Sequence, residues 1–131
     1  MRELKQILTT TDFSENSKVA LPAASCLARR FEAVLHLLHV VPPIQSAVRR
    51  SLDKDSLSRI KQEMRESSEE ELRELVASEV GEGVRTELHV LQGTPADEVA
   101  KFATERQIDL VALSTRGHTG LKRFMLGSTA E

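Results

Sequence analysis

Apolar residues in this chain gather into short continuous runs, separated by longer stretches in which they recur every three or four positions. The first run, Leu4 to Thr9, has strand length and ends in Thr-Thr-Thr-Asp. From about Glu15 to Phe31, Val19, Ala20, Ala23, Ala24, Leu27 and Ala28 fall on one face of a helix. Pro22 lies inside that pattern and predicts a kink, because it removes a backbone donor. Ala33 to Val41 is an almost unbroken apolar run closed by Pro42-Pro43, the pattern of a strand covered on both faces.

Residues Ile44 to Asp53 read as irregular. The longest helical pattern runs from about Lys54 to Val80, with Leu57, Ile60, Met64, Leu72, Leu75 and Val76 as an interrupted stripe that Gly81 and Gly83 end. A third strand is expected from Val84 to Leu91. Thr94 then reads as a helix cap, with Pro95 at the first helical position and Asp97 in the first turn. That helix stops near Gln107, and Ile108 to Leu113 reads as a fourth strand. Ser114 to Gly120 reads as loop, and Leu121 to Glu131 as loop and incipient helix. Strand and helix alternate four times, with connections too long for hairpins. The pattern predicts a mostly parallel sheet with helices on both faces.

Length and composition agree with this. The 131 residues suit one domain, 1–131, with one core, and 40% apolar with 29% charged residues is ordinary for a globular protein. A formal net charge of −2 argues against nucleic acid or an anionic membrane as partner. Any phosphate site must therefore be local. A single cysteine, Cys26, permits no internal disulfide. With no signal-peptide pattern and no run of membrane-spanning length, the expected compartment is the cytoplasm. Cys26 falls within the apolar face of the first helix and reads as an inert core thiol.

In an open parallel sheet, ligands bind beyond the carboxyl ends of the strands, where neighbouring connections diverge. Thr9-Thr10-Thr11-Asp12-Phe13-Ser14-Glu15 and Ser114-Thr115-Arg116-Gly117-His118-Thr119-Gly120 occupy such positions, and they line one crevice if the first and fourth strands are neighbours. Gly117 and Gly120 let backbone approach a ligand closely. Gly127-Ser128-Thr129 offers amides and hydroxyls at an incipient helix start, where each anion contact contributes roughly 0.3–1 kcal/mol. Arg116, Lys122 and Arg123 add positive charge, so the segment reads as a phosphate cradle or as simple turn chemistry. It is neither a P-loop nor a dinucleotide fingerprint.

The segment from Leu113 to Glu131 also resembles the signature of universal stress proteins. In ATP-binding members this is a glycine, two residues, a glycine, nine residues, then Gly-Ser or Gly-Thr. Gly117 matches the second glycine and Gly127-Ser128 the end. Ile7 to Glu15 resembles the family's first strand and Pro-Thr-Asp-x-Ser-Glu turn, Leu35 to Val41 its second strand, and Gly93-Thr94-Pro95 its third-helix entry. The likeness covers nearly the whole chain.

The resemblance implies a single-domain Rossmann-like fold of the adenine nucleotide alpha hydrolase type, with an open parallel sheet of strand order 3-2-1-4-(5). It implies that Thr10, Thr11, Asp12 and the Val40 backbone contact adenine and ribose. Ser114, Arg116, Gly117, Gly127, Ser128 and Thr129 would surround ribose and phosphates, with a divalent cation such as Mg2+ beside them. Three positions depart from the pattern: Ser114 replaces the first glycine, Thr10 replaces a proline, and the family's fifth strand is absent because the chain stops at Glu131. In the family that strand commonly pairs with its counterpart in a second subunit. Without it, Leu110 to Leu113 would form an exposed apolar edge, which another chain or further residues should cover. A homodimer is the expected assembly.

Other residues have plainer readings. Asp12 with Glu15 could cap the first helix, and Ser14 is a second cap candidate. His36 and His39 lie on opposite faces of one strand and cannot share a metal; His89 could approach one of them, but no carboxylate or cysteine cluster is visible, so no metal is expected. The acidic run Glu69-Glu70-Glu71 reads as a solvated helix face. No residue stands out as an activating base, and no catalytic residue is assigned. The expected function is a stress-response protein that binds ATP as a regulatory module, with slow hydrolysis at most. The alternatives are a nucleotide-free interaction protein of the same family and, ranked below it, a nucleotidyl- or adenylyl-transfer enzyme.

Overall fold

A computed structural model describes residues 3–114 and 122–126 of the chain. Strand β1 spans Gln6–Thr10, followed by a 3-10 turn at Ser17–Val19 and helix α1 at Ala20–Phe31. Then come β2 (Val34–Val41), α2 (Ser46–Ser51), α3 (Lys54–Leu75) with a π-helical turn at Val76–Val80, β3 (Thr86–Gln92), α4 (Pro95–Glu105), β4 (Leu110–Ser114) and β5 (Lys122–Leu126). The sheet order is β3-β2-β1-β4-β5. Its first four strands are parallel, with Leu8 beside His36 on one side and Val111 on the other, and His36 beside Glu87.

The central strands are mostly apolar because both faces are covered. Ile7, Leu35, Leu37 and Ala112 pack with Ala20, Ala24, Ala28, Leu72 and Leu75 from α1 and α3. On the other face Leu8, Leu38, Val40 and Val111 pack with Phe102 of α4 and with Ile108. Thr9, fully buried between them, donates its hydroxyl hydrogen to the Ala112 carbonyl at 2.9 Å, satisfying a polar group that burial would otherwise penalise.

Four expectations are corrected. Pro22 falls in the first turn of α1, where an amide has no intrahelical partner, so the helix runs unbroken from Ala20 to Phe31. Cys26 is exposed; Ser25 turns inward instead and satisfies its hydroxyl on the Leu21 carbonyl at 2.8 Å. Residues expected to be irregular include the short helix α2. The edge of β4 is not bare, because β5 pairs with it antiparallel, Leu110 opposite Leu126 and Ser114 opposite Lys122. That segment reads as loop and incipient helix by sequence. The short connection 115–121 allows a reversal, whereas a parallel neighbour needs a crossover of about a dozen residues or more.

Candidate functional site

β1 is flanked by β2 and β4, and the two connections that leave its neighbourhood pack on opposite faces of the sheet: α1 on one, α4 on the other. Such a divergence opens a crevice at the carboxyl ends of the strands. There the structure has a cavity of about 220 Å³ lined by Thr10, Thr11, Asp12, Ser17, Val40, Pro95, Val99 and Ser114. Five of the residues singled out by sequence, Thr10, Thr11, Asp12, Val40 and Ser114, thus come together from β1, β2 and β4. Arg116, Gly117, Gly127, Ser128 and Thr129 lie outside the described residues.

The turn after β1 is closed by its own side chains. The Thr11 amide donates to the Leu38 carbonyl at 3.0 Å, continuing the strand pairing. Its hydroxyl oxygen accepts the Phe13 amide at 2.9 Å and bonds the Ser17 hydroxyl at 2.9 Å. Phe13 takes a positive φ of 69°, a conformation held by that bond and by packing of its ring on His39, with centroids 4.5 Å apart. His39 donates from Nδ1 to the Thr11 carbonyl at 2.8 Å, which fixes the floor of the turn from the neighbouring strand.

Asp12 does not cap α1, which begins only at Ala20. Its Oδ1 accepts the Ser14 amide at 2.9 Å and the Ser14 hydroxyl, a local turn in which the side chain replaces a backbone acceptor. Ser14 in turn accepts the Ser17 amide on its hydroxyl at 3.2 Å. The carboxylate is thereby held at the exposed lip of the crevice.

Ser114, at the signature's first glycine position, has a definite partner. Its hydroxyl oxygen accepts the Ala20 amide at 2.8 Å and faces the Ser17 carbonyl at 3.4 Å. A first-turn donor of α1 is thus bonded from the end of β4, beside its backbone bond to the Lys18 carbonyl, and Val19 supplies no side-chain cap. Ser17, Pro95 and Val99 were not singled out as site residues by sequence. Pro95 and Val99 enter because α4 packs beside the crevice, which only the crossover geometry reveals.

Larger clefts lie elsewhere. A polar cleft of about 650 Å³ opens at the opposite end of the sheet, and one of about 320 Å³ runs between α3 and β3. Position rather than size marks the smaller cavity, because it alone among these sits where the connections diverge. Asp12 is the one ionisable side chain among the described residues of its lining. It can therefore position hydroxyl or amine donors, and the described lining residues present no base–nucleophile pair. Among the described residues, no helix is long and apolar enough to cross a membrane.

Comparison with known proteins gives the same frame. The chain is 32% identical over 127 residues to the universal stress protein MJ0531 of Methanocaldococcus jannaschii, covering 97% of this chain and 74% of that one. Among solved structures, the protein MJ0577 superposes with a TM-score of 0.73 at 24% identity, covering 97% of this chain and 85% of that chain. A universal stress protein solved in complex with cAMP matches at a TM-score of 0.57 and 19% identity over 86% of this chain and 73% of that one. One from Archaeoglobus fulgidus, in complex with dAMP, matches at 0.56 and 20% over 84% and 80%. Residues 3–131 match the model of the universal stress protein family, and with the strand order and crevice already in hand, the chain belongs to that family.

Proposed function

We propose that the chain binds ATP, with a divalent cation such as Mg2+, in the crevice between the ends of β1 and β4, and that it acts as a nucleotide-dependent regulatory module in a cytoplasmic stress response. The observation that carries this reading is the cavity shared by Thr10, Thr11, Asp12, Val40 and Ser114 at the divergence of the crossovers. Its volume of about 220 Å³ is below the roughly 300–1,000 Å³ of pockets that enclose a whole drug-sized ligand. That size suits a base and sugar, leaving the phosphates to Arg116, Gly117, Gly127, Ser128 and Thr129. Family neighbours solved in complex with cAMP and dAMP support adenine as the base.

Thr10, Thr11 and the Val40 backbone would face adenine, and the Asp12 carboxylate the ribose. Backbone amides can hold phosphates without accelerating their transfer, so binding is the primary role and hydrolysis slow. The proposal includes a homodimer, for which β5 is the outermost strand on its side of the sheet; light scattering of the purified protein reads that directly.

A second reading, a nucleotide-free interaction module, draws on Ser114, whose side chain stands where the signature has glycine and lines the crevice. Calorimetric titration with ATP and magnesium, beside a Gly117→Asp variant, separates the two. Saturable binding by the parent and none by a folded variant supports the nucleotide site. Absence of binding by the folded parent sinks it and leaves the interaction reading.

A further inference from the structure

On β2 and β3, away from the β1–β4 crevice, three side chains of the α4 face converge, with His36 in register with Leu8 and His89 with Leu38. His36 on β2 is 3% exposed, and its neighbour in register on β3 is Glu87, with His89 two positions further on the same face. His36 Nδ1 lies 3.0 Å from His89 Nε2 and 4.0 Å from Glu87 Oε1. All three donor atoms fall within 4.8 Å of one another. We propose that His36 Nδ1, His89 Nε2 and Glu87 Oε1 form a binding site for a borderline divalent transition metal of the Zn2+ class.

Two imidazoles and one carboxylate are a donor set that zinc takes with water in a fourth position. Metal–ligand distances of about 2.0–2.1 Å in a tetrahedron separate ligand atoms by about 3.3 Å. The imidazole nitrogens are within a few tenths of an ångström of that spacing. The Glu87 oxygen must close in by about 0.7 Å on His36 Nδ1 and by at most about 1.5 Å on His89 Nε2, a side-chain rotation available to a half-exposed residue.

The surroundings prepare His36 as a ligand. Its Nε2 lies 2.6 Å from Gln6 Oε1, an acceptor, so Nε2 carries the hydrogen and Nδ1 presents its lone pair to His89 and Glu87. Metal-binding histidines are oriented by such a bond on the second nitrogen. Gln6 is held in turn, because Asp109 Oδ2 accepts the backbone amides of Lys5 and Gln6 at 3.0 and 2.9 Å. Phe102 packs edge-on against both imidazoles, with centroids 5.8 Å from His36 and 4.6 Å from His89, which limits their rotation. The polar cleft of about 650 Å³ includes His36 and Glu87 in its wall, giving an entry path and room for a water ligand. Arg106, stacked on Phe102 at 5.2 Å, is the opposing charge and tempers affinity.

The site would clip the edge strand β3 to β2. It is separate from the proposed nucleotide crevice, so its test contains no nucleotide. Chelator-treated, dialysed protein is titrated with Zn2+ by calorimetry and with Co2+ by visible absorption, beside Glu87→Gln and His89→Gln variants whose folds are checked by circular dichroism. The expected result is one equivalent of Zn2+ bound at micromolar Kd or tighter, tetrahedral Co2+ bands, affinity at least ten-fold weaker in Glu87→Gln, and no saturable binding in His89→Gln. Glu87→Gln is nearly isosteric at a half-exposed position and keeps the test alive if His89→Gln fails to fold. Absence of saturable binding by the parent, or binding that both variants retain unchanged, would overturn the proposal and leave the histidines as a hydrogen-bonded packing pair.

Discussion

The hydroxyl of Ser114 accepts the backbone amide of Ala20 at 2.8 Å, joining the end of β4 to the first turn of α1 across 94 residues of sequence. The bond replaces a helix cap that Val19 cannot provide. Replacing Ser114 with alanine should cost about 1 kcal/mol, the value of one neutral hydrogen bond, read as a lower urea midpoint at unchanged slope. An unchanged midpoint would mean that water serves the Ala20 amide equally well.

Asp12 separates structure from recognition. An asparagine there keeps an acceptor oxygen for the Ser14 amide and hydroxyl, so the turn and the melting temperature should survive. A ribose held by the carboxylate would lose its charge-assisted bonds, and ATP affinity should fall ten-fold or more. Equal affinity for Asp12→Asn and parent would remove Asp12 from the proposed site.

Glu32 ends α1 with a φ of 54°, and the Ala33 amide returns to the Ala28 carbonyl at 2.9 Å in a Schellman-type closure. Glycine has no Cβ to meet the carbonyl and adopts that conformation freely, and Glu32 is exposed with little packing to lose. Glu32→Gly should therefore stabilise by about 0.5–1 kcal/mol, visible as a rise of a few degrees in Tm.

Stability should also depend on pH through the paired imidazoles. Burial, then the neighbouring His36 and Arg106, outweigh the attraction of Glu87 and hold His89 down to about 4. Burial also lowers His36, assisted by Arg106 and opposed by Glu87; the contact with Glu87 is therefore not an ion pair at neutral pH. A depressed histidine takes up its proton on unfolding. For metal-free protein the contribution is complete above pH 6.5 and is lost as pH falls toward 4, with a slope of about 1.4 kcal/mol per pH unit for one proton. Urea unfolding in chelator at pH 7, 5.5 and 4.5 measures this slope. His89→Gln should flatten it, and an unflattened slope would assign the effect to other groups.

The fold was legible along the chain because its signals are local. The apolar runs at Ile7-Leu8-Thr9 and Leu35 to Val41 mark strands covered twice, Thr94-Pro95 marks a helix start, and alternation of the two periods requires right-handed crossovers. The loops after β1 and β4 could be placed in advance because a parallel sheet puts its ligands at the carboxyl ends of strands. The individual residues Thr10, Thr11, Asp12, Val40 and Ser114 came from the family resemblance, and the structure brings them to one cavity.

Tertiary structure decided what depends on partners distant in sequence. Ser25 and Cys26 are adjacent on one helix, and only the angle at which α1 meets the sheet buries the first and exposes the second. The pairing of β5 with β4 answers to an open row of backbone groups that no single segment displays. His36 and His89 stand 53 residues apart, and Glu87 reads as one acidic residue among many. The register of β2 against β3 brings the three donors to one place, and register is a property of two strands that neither sequence states alone.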